Sequence, residues 1–135
     1  MPNLLAVLVV AIISMVIGAL WYSPLLFGNL WMKLMKITKA DIEKAKKKSM
    51  TGNYIASFIA ILILSYVLSF VIGFVGFNSI SGGILLALLL WLGFIATTFL
   101  NSVLWENKSV KLYLINILHY LVVFLVAAII FSIWV

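Results

Sequence analysis

The chain has 135 residues, 67% of them hydrophobic and only 9% charged, with no cysteine and a formal charge of +6. Its mean hydropathy is +1.33, whereas a soluble domain is roughly half apolar and about a quarter charged. This composition excludes a water-soluble core, disulfides and thiol chemistry; the basic excess lies beside apolar runs, which points to phospholipid head groups and not to nucleic acid.

A bilayer offers no water to backbone groups, so each spanning segment pairs its own N–H and C=O groups, as a helix or within a closed barrel. Long apolar runs without period-2 alternation select helices. Four such runs are present, at 4–22, 54–77, 83–105 and 112–135, each free of formal charge. A span needs ~20 residues. The predicted fold is an all-α membrane protein of four transmembrane helices, forming a single domain over 1–135, with an interfacial amphipathic helix between spans one and two.

The first run has no Lys or Arg before it. It therefore lacks the positive region of a signal peptide and reads as an uncleaved first span. Ser14-x-x-x-Gly18 gives this span a small-residue face suited to close helix packing. The run ends in Trp21-Tyr22-Ser23-Pro24. Ser favours the N-cap and Pro the first helical position, so Ser23-Pro24 predicts a new helix. From Pro24, polar residues fall at Asn29, Lys33 and Lys36, with Leu25, Leu26, Phe27, Leu30, Trp31, Leu34 and Met35 on the other faces. A helix of about a dozen residues in that pattern is too short to span and lies in the interface. The alternative is a tilted, kinked extension of the first span.

Thr38-x-x-Asp41 has capping-box spacing and opens a short basic helix from Lys39. Within the basic loop, 24–53, Lys44, Lys46, Lys47 and Lys48 suit anionic lipid head groups, at about 1 kcal/mol per Lys, or act only as solvated determinants of topology. Gly52 is expected to end this helix. Ser65-x-x-x-Ser69-x-x-x-Gly73 marks a second packing face. In span three, Trp91 falls away from either interface and requires an N–H acceptor or a cavity. Trp21, Tyr22, Trp31, Tyr54, Trp105 and Tyr113 gather where an aromatic belt is expected. All nine lysines lie in the first and third loops. With four spans these loops share a side, which the positive-inside rule makes cytoplasmic. Both termini then face outward, in an integral protein of a bacterial cytoplasmic membrane.

Polar side chains inside the spans mark the candidate binding site. Asn116 and His119 follow Lys111 by five and eight residues, about 8 and 12 Å into the bilayer at ~1.5 Å per residue. Tyr113, Asn116 and Tyr120 share a helix face, with His119 at its edge. Asn101, Trp105 and Glu106 approach from the end of span three. An ionisable residue inside a span is a candidate functional group by default; the alternative is inter-helix glue, where such bonds average ~0.6 kcal/mol.

The pattern Gly18-x-x-Trp21-Tyr22-Ser23-Pro24-x-x-Phe27-Gly28-x-x-Trp31 resembles the first-hairpin signature of the family called domain of unknown function 1761. Trp91-x-Gly93-Phe94, the segment Asn101 to Glu106, and Lys111-Leu112 followed by Ile115-Asn116 resemble it as well. The resemblance covers nearly the whole chain and implies a small four-span membrane protein, without naming an activity. It also implies a Tyr-then-His order in the last span; here the order is His119-Tyr120, which moves the imidazole by about 100° around the helix.

Function classes narrow accordingly. No acidic residue lies in a span and no Arg is present, so carboxylate-coupled transport and Arg-dependent intramembrane catalysis lack their residues. One His without a carboxylate on its helix face makes neither a hydrolytic set nor a metal site. No catalytic residue, metal ligand or cofactor is assigned. The expectation is binding or transport of a small solute or lipid through the inner polar cluster, by a homo-oligomer, with the lipid bilayer as partner. A scaffold that docks lipid or a cytosolic protein through the basic loop is the alternative.

Overall fold

A computed structural model describes residues 2–76 and 79–134. Its elements are α1 (Leu4–Trp21), α2 (Gly28–Leu34), α3 (Lys39–Lys47) and α4 (Thr51–Val75). They are followed by α5 (Ile80–Leu104) and α6 (Val110–Ile133). The four long helices, α1, α4, α5 and α6, are long and apolar enough to cross a membrane. No strand occurs among the described residues. The all-α membrane architecture read from the sequence is the architecture observed.

Helix ends follow capping chemistry. Asn3 accepts from the backbone N–H groups of Leu5 and Ala6, Ser79 from Gly82, and Ser109 from Leu112. These satisfy donors that a helix leaves open at its start. At Thr38 the full capping box forms: Thr38 Oγ1 accepts from Asp41 N–H, and Asp41 Oδ2 accepts from Thr38 N–H. Gly76, at φ 78°, closes α4 in the left-handed conformation that glycine adopts without a Cβ penalty.

The region after α1 departs from the sequence expectation. No helix begins at Pro24. Ser23 turns its hydroxyl back onto the Leu20 carbonyl at 2.7 Å, so it finishes α1 instead of capping a second helix. Its own carbonyl accepts from both Leu26 and Gly28 N–H groups, making a compact loop. Only at Gly28 does α2 start, and it runs for 7 residues, shorter than the dozen expected. Gly28 is required by close approach: a Cβ there would lie 2.6 Å from the Ser23 carbonyl carbon and collide with the Tyr22 carbonyl oxygen. Likewise, Gly52 does not end a helix; it sits in the first turn of α4, which therefore begins at Thr51 and not at 54. Helices α5 and α6 also start earlier than 83 and 112, because Ser79 and Ser109 provide the caps. The expected ends at Phe77 and Val135 lie outside the described residues.

Inside α5, Trp91–Ala96 is π-helical. A π segment shifts the hydrogen-bond register and leaves backbone groups without their usual partners. Side chains meet that need here: Thr97 Oγ1 donates to the Gly93 carbonyl at 2.6 Å, and Tyr113 Oη of α6 donates to the Ala96 carbonyl at 2.6 Å. Trp91, whose N–H required an acceptor, donates to the Ile117 carbonyl of α6 at 2.7 Å.

The packed core lies in one half of the bundle. It joins Ala6, Val7 and Val10 of α1 to Leu68 and Ile72 of α4, Ala87 of α5, and Val123, Phe124, Ala127, Ala128 and Phe131 of α6. With antiparallel neighbours, all of these fall toward the end away from the lysines. Small residues allow the close approach there: a Cβ on Gly83 would collide with the Ser132 hydroxyl across the α5–α6 contact. The half nearer the lysines is built differently. Residues 51–57 of α4 are all exposed, and large aromatic side chains stand where the other half has alanine and glycine.

Candidate functional site

The loose half of the bundle holds a crevice between the start of α4 and the facing surfaces of α1 and α6. It has two adjoining chambers. One, of about 570 Å³, is lined by Ser14, Met15, Gly18 and Ala19 of α1, Ile61 of α4 and His119 of α6. The other, of about 650 Å³, reaches toward the lysine-bearing end and is lined by Trp31, Met35, Met50, Asn53, Phe99 and Asn116. Tyr22, Tyr54, Ser57 and Tyr120 line both and join them.

The geometry of a helix explains how α6 supplies three of the polar groups. Asn116, His119 and Tyr120 project toward the crevice from one and a bit turns of helix. Opposite them, the Trp21-Tyr22 pair is aimed by the compact loop described above. Trp21 Nε1 donates to the Ile115 carbonyl at 2.9 Å, and Tyr22 Oη donates to Asn116 Oδ1 at 2.7 Å. These two bonds tie the end of α1 to α6 across 94 residues of sequence. The Phe27 ring packs on Trp21 at 4.7 Å, and the Trp31 ring meets Tyr22 edge-on at 5.7 Å. The WYSP…FG…W signature is thus one structural unit: Ser23 and Gly28 shape the loop, and the aromatics hold Trp21 and Tyr22 against α6.

His119 occupies the centre of this arrangement. Its ring lies 5.4 Å from Tyr22, 6.3 Å from Trp21 and 4.8 Å from Tyr120, centroid to centroid. Both imidazole nitrogens are buried and neither has a hydrogen-bond partner among the described residues. A Cβ on Gly18 would lie 3.3 Å from His119 Nε2, so Gly18 makes room for the imidazole. Burying a polar group without a partner costs free energy, by ~1–3 kcal/mol on the protein scale. Ser65 Oγ of α4 is likewise buried without a partner among the described residues.

The residues expected to form the cluster divide. Asn116, His119 and Tyr120 come together, joined by Tyr22. Tyr113 points instead to the π segment of α5, where its hydroxyl is committed to the Ala96 carbonyl. Asn101, Trp105 and Glu106 are exposed, Trp105 by 81%, and line neither chamber. Among the described residues, no group of three or more His, Asp and Glu side chains is close enough to hold a metal. The sequence reading placed Trp21 and Tyr22 in the signature and the aromatic belt, without a binding role. It also passed over Asn53 and Ser57, whose i, i+4 spacing on an otherwise apolar helix was the available signal.

The basic segment stands apart from the crevice. Helix α3 has no buried residue, and Lys44, Lys46, Lys47 and Lys48 are exposed. Hydrogen bonds from the Thr38 backbone N–H, and then from its side chain, hold the Asp41 carboxyl below its ordinary value.

Comparison with curated proteins and with solved structures finds no match. The family described as protein of unknown function DUF1761 matches over residues 5–132. That span takes in the loop signature, the π-helical segment and the His119 face alike, and the chain belongs to the DUF1761 family.

Proposed function

We propose that this membrane protein binds a small amphiphile, a lipid or a membrane-soluble solute, in the crevice between α4 and the α1–α6 pair. One observation carries the reading: His119, both of whose ring nitrogens are buried without a hydrogen-bond partner among the described residues, lines a chamber of about 570 Å³. Asn116 and Tyr120 are the accompanying polar contacts, and Tyr22 fixes Asn116. The crevice adjoins the exposed first turns of α4, so a molecule dissolved in the bilayer reaches it sideways, without crossing a protein wall. In this reading the lysine-bearing end is cytoplasmic, both termini lie outside, and the membrane is a bacterial cytoplasmic membrane. Four spans enclose no wide pore, so movement of the bound molecule across the bilayer requires a homo-oligomer or a narrow groove between helices.

The test is native mass spectrometry of the purified chain with bound small molecules retained. The wild-type protein is expected to carry a molecule that His119→Ala loses and that Asn101→Leu, outside both chambers, keeps. Equal retention by both variants rejects the site. The same spectra give the oligomeric state.

A second reading rests on α3, a capped helix with no buried residue and four lysines near its end. It is a docking element for anionic lipid or a cytosolic partner. Charge reversal of Lys44, Lys46, Lys47 and Lys48 is expected to abolish sedimentation with vesicles rich in phosphatidylglycerol; unchanged sedimentation rejects it.

A further inference from the structure

We propose that the occupant of the crevice is a neutral amphiphile whose head is a flat ring carrying carbonyl oxygens, the chemical class of the quinones. This rests on the amphiphile-binding reading above and names its ligand.

The first ground is charge. Neither chamber has a lysine, aspartate or glutamate in its lining. An ion taken from water into a low-dielectric site needs a counter-charge, and its desolvation is not offset without one. A phosphate or a carboxylate would meet no cation here, and an ammonium no carboxylate. The nine lysines of the chain contribute nothing to either lining, although they lie at the same end of the bundle.

The second ground is shape. The chamber nearer the lysines is lined by two aromatic pairs. In one, Tyr22 and Trp31 meet edge-on at 5.7 Å; in the other, Phe99 and Tyr120 stack at 5.6 Å with 25° between planes. Offset stacking and edge contacts between rings are favourable beyond the area they bury, by ~0.5–1.5 kcal/mol a pair. A planar head gains such ring contacts; a branched or saturated head does not.

The third ground is hydrogen bonding. Tyr22 uses its proton on Asn116 Oδ1, which leaves the Asn116 amide N–H₂ directed elsewhere. Tyr120 lines both chambers, and neither imidazole nitrogen of His119 has a partner among the described residues. An Asn amide donates twice, a tyrosine hydroxyl once, and a neutral imidazole once. The site therefore offers neutral donors, and a carbonyl oxygen is a neutral group that accepts them. Beyond the rings, Met15, Ala19 and Ile61 give the second chamber an apolar side for a tail.

The chain contains five tryptophans, and quinones quench indole fluorescence on contact. The experiment titrates the full chain in nanodiscs with a 1,4-naphthoquinone bearing one isoprenyl unit. Saturable quenching is expected, with Kd about fivefold weaker for Tyr120→Phe, the fold-change of one neutral hydrogen bond. Phe99→Leu is expected to weaken it as well, and Asn101→Leu to leave the curve in place. Two competitors with the same tail separate the claims: a ring-free isoprenoid alcohol and a quaternary ammonium. Displacement by the alcohol at equal concentration overturns the planar head but leaves amphiphile binding standing. Displacement by the ammonium at lower concentration overturns neutrality. Quenching that rises linearly without saturation, in a protein that also retains nothing in a His119-dependent way by native mass spectrometry, rejects both this inference and the reading beneath it.

Discussion

Single residues in this protein act through the space they leave as much as through the bonds they make. Gly28 permits the loop that aims Trp21 and Tyr22, because a Cβ would run into the Tyr22 and Ser23 carbonyls. Backbone on both sides of the contact leaves no flexible side chain to yield. Gly28→Ala is therefore expected to cost about 1–3 kcal/mol, the range for overpacking, and to release the end of α1 from Asn116. Thermal unfolding in detergent, with tryptophan emission as a second signal, checks both parts; an unchanged midpoint contradicts the close approach. At this scale the sequence was half legible. His119 and Asn116 stood out because polar groups within apolar spans are rare and need partners. Trp21 and Tyr22 did not, because an aromatic at a span end has an ordinary explanation at the interface, and nothing local reveals that Ile115 and Asn116 lie opposite.

At the scale of elements, composition decided nearly everything and local pattern decided the rest unevenly. Spans were readable because hydrocarbon tolerates only helices of sufficient length, so a charge-free run of the right size has one interpretation. The capping box at Thr38 and Asp41 was readable because its chemistry is local. Its consequence is a pH dependence. Asp41 is held below its ordinary value of 3.8 by bonds from Thr38, so its contribution to α3 is fully present above that value. It is lost as the pH falls through the depressed folded value. Amide chemical shifts of Thr38 followed on acidification should move with that lower titration, and the movement should vanish in Asp41→Asn; a titration at or above 3.8 contradicts the cap. By contrast, the Ser23-Pro24 reading failed because Ser caps either end of a helix, and the choice depended on whether Leu20 O or a later N–H lay within reach. The π segment at Trp91–Ala96 was invisible in sequence, since it is stabilised by Tyr113 from another helix.

Across the whole molecule, the bundle is closed at one end and open at the other, and the division follows residue size. Alanine and glycine bring the helices together around Val10, Ala87 and Val123, whereas Tyr22, Trp31, Phe99 and Tyr120 line the space left nearer the lysines. Lipid tails are as apolar as leucine, so there is no general hydrophobic force to collapse the open end. The orientation proposed for the molecule is directly measurable, because the chain has no native cysteine. Lys44→Cys and Lys108→Cys, each made singly, are expected to react with an impermeant maleimide from the same face of sealed inside-out vesicles. Labelling from opposite faces would contradict the antiparallel four-span arrangement, and labelling of both only in right-side-out vesicles would reverse the orientation alone.

The uncommitted first turns of α4 carry a last consequence. One wall of the cleft is a helix segment held by acyl chains and not by other parts of the chain, so the gap between it and α1 responds to how tightly the surrounding lipids press. A thicker or thinner leaflet changes the tilt of such a segment at a cost of only fractions of a kcal/mol per Å. Under the proposed binding, affinity at the imidazole becomes a property shared between the polypeptide and its host membrane, and a value determined in one lipid mixture is not transferable to another.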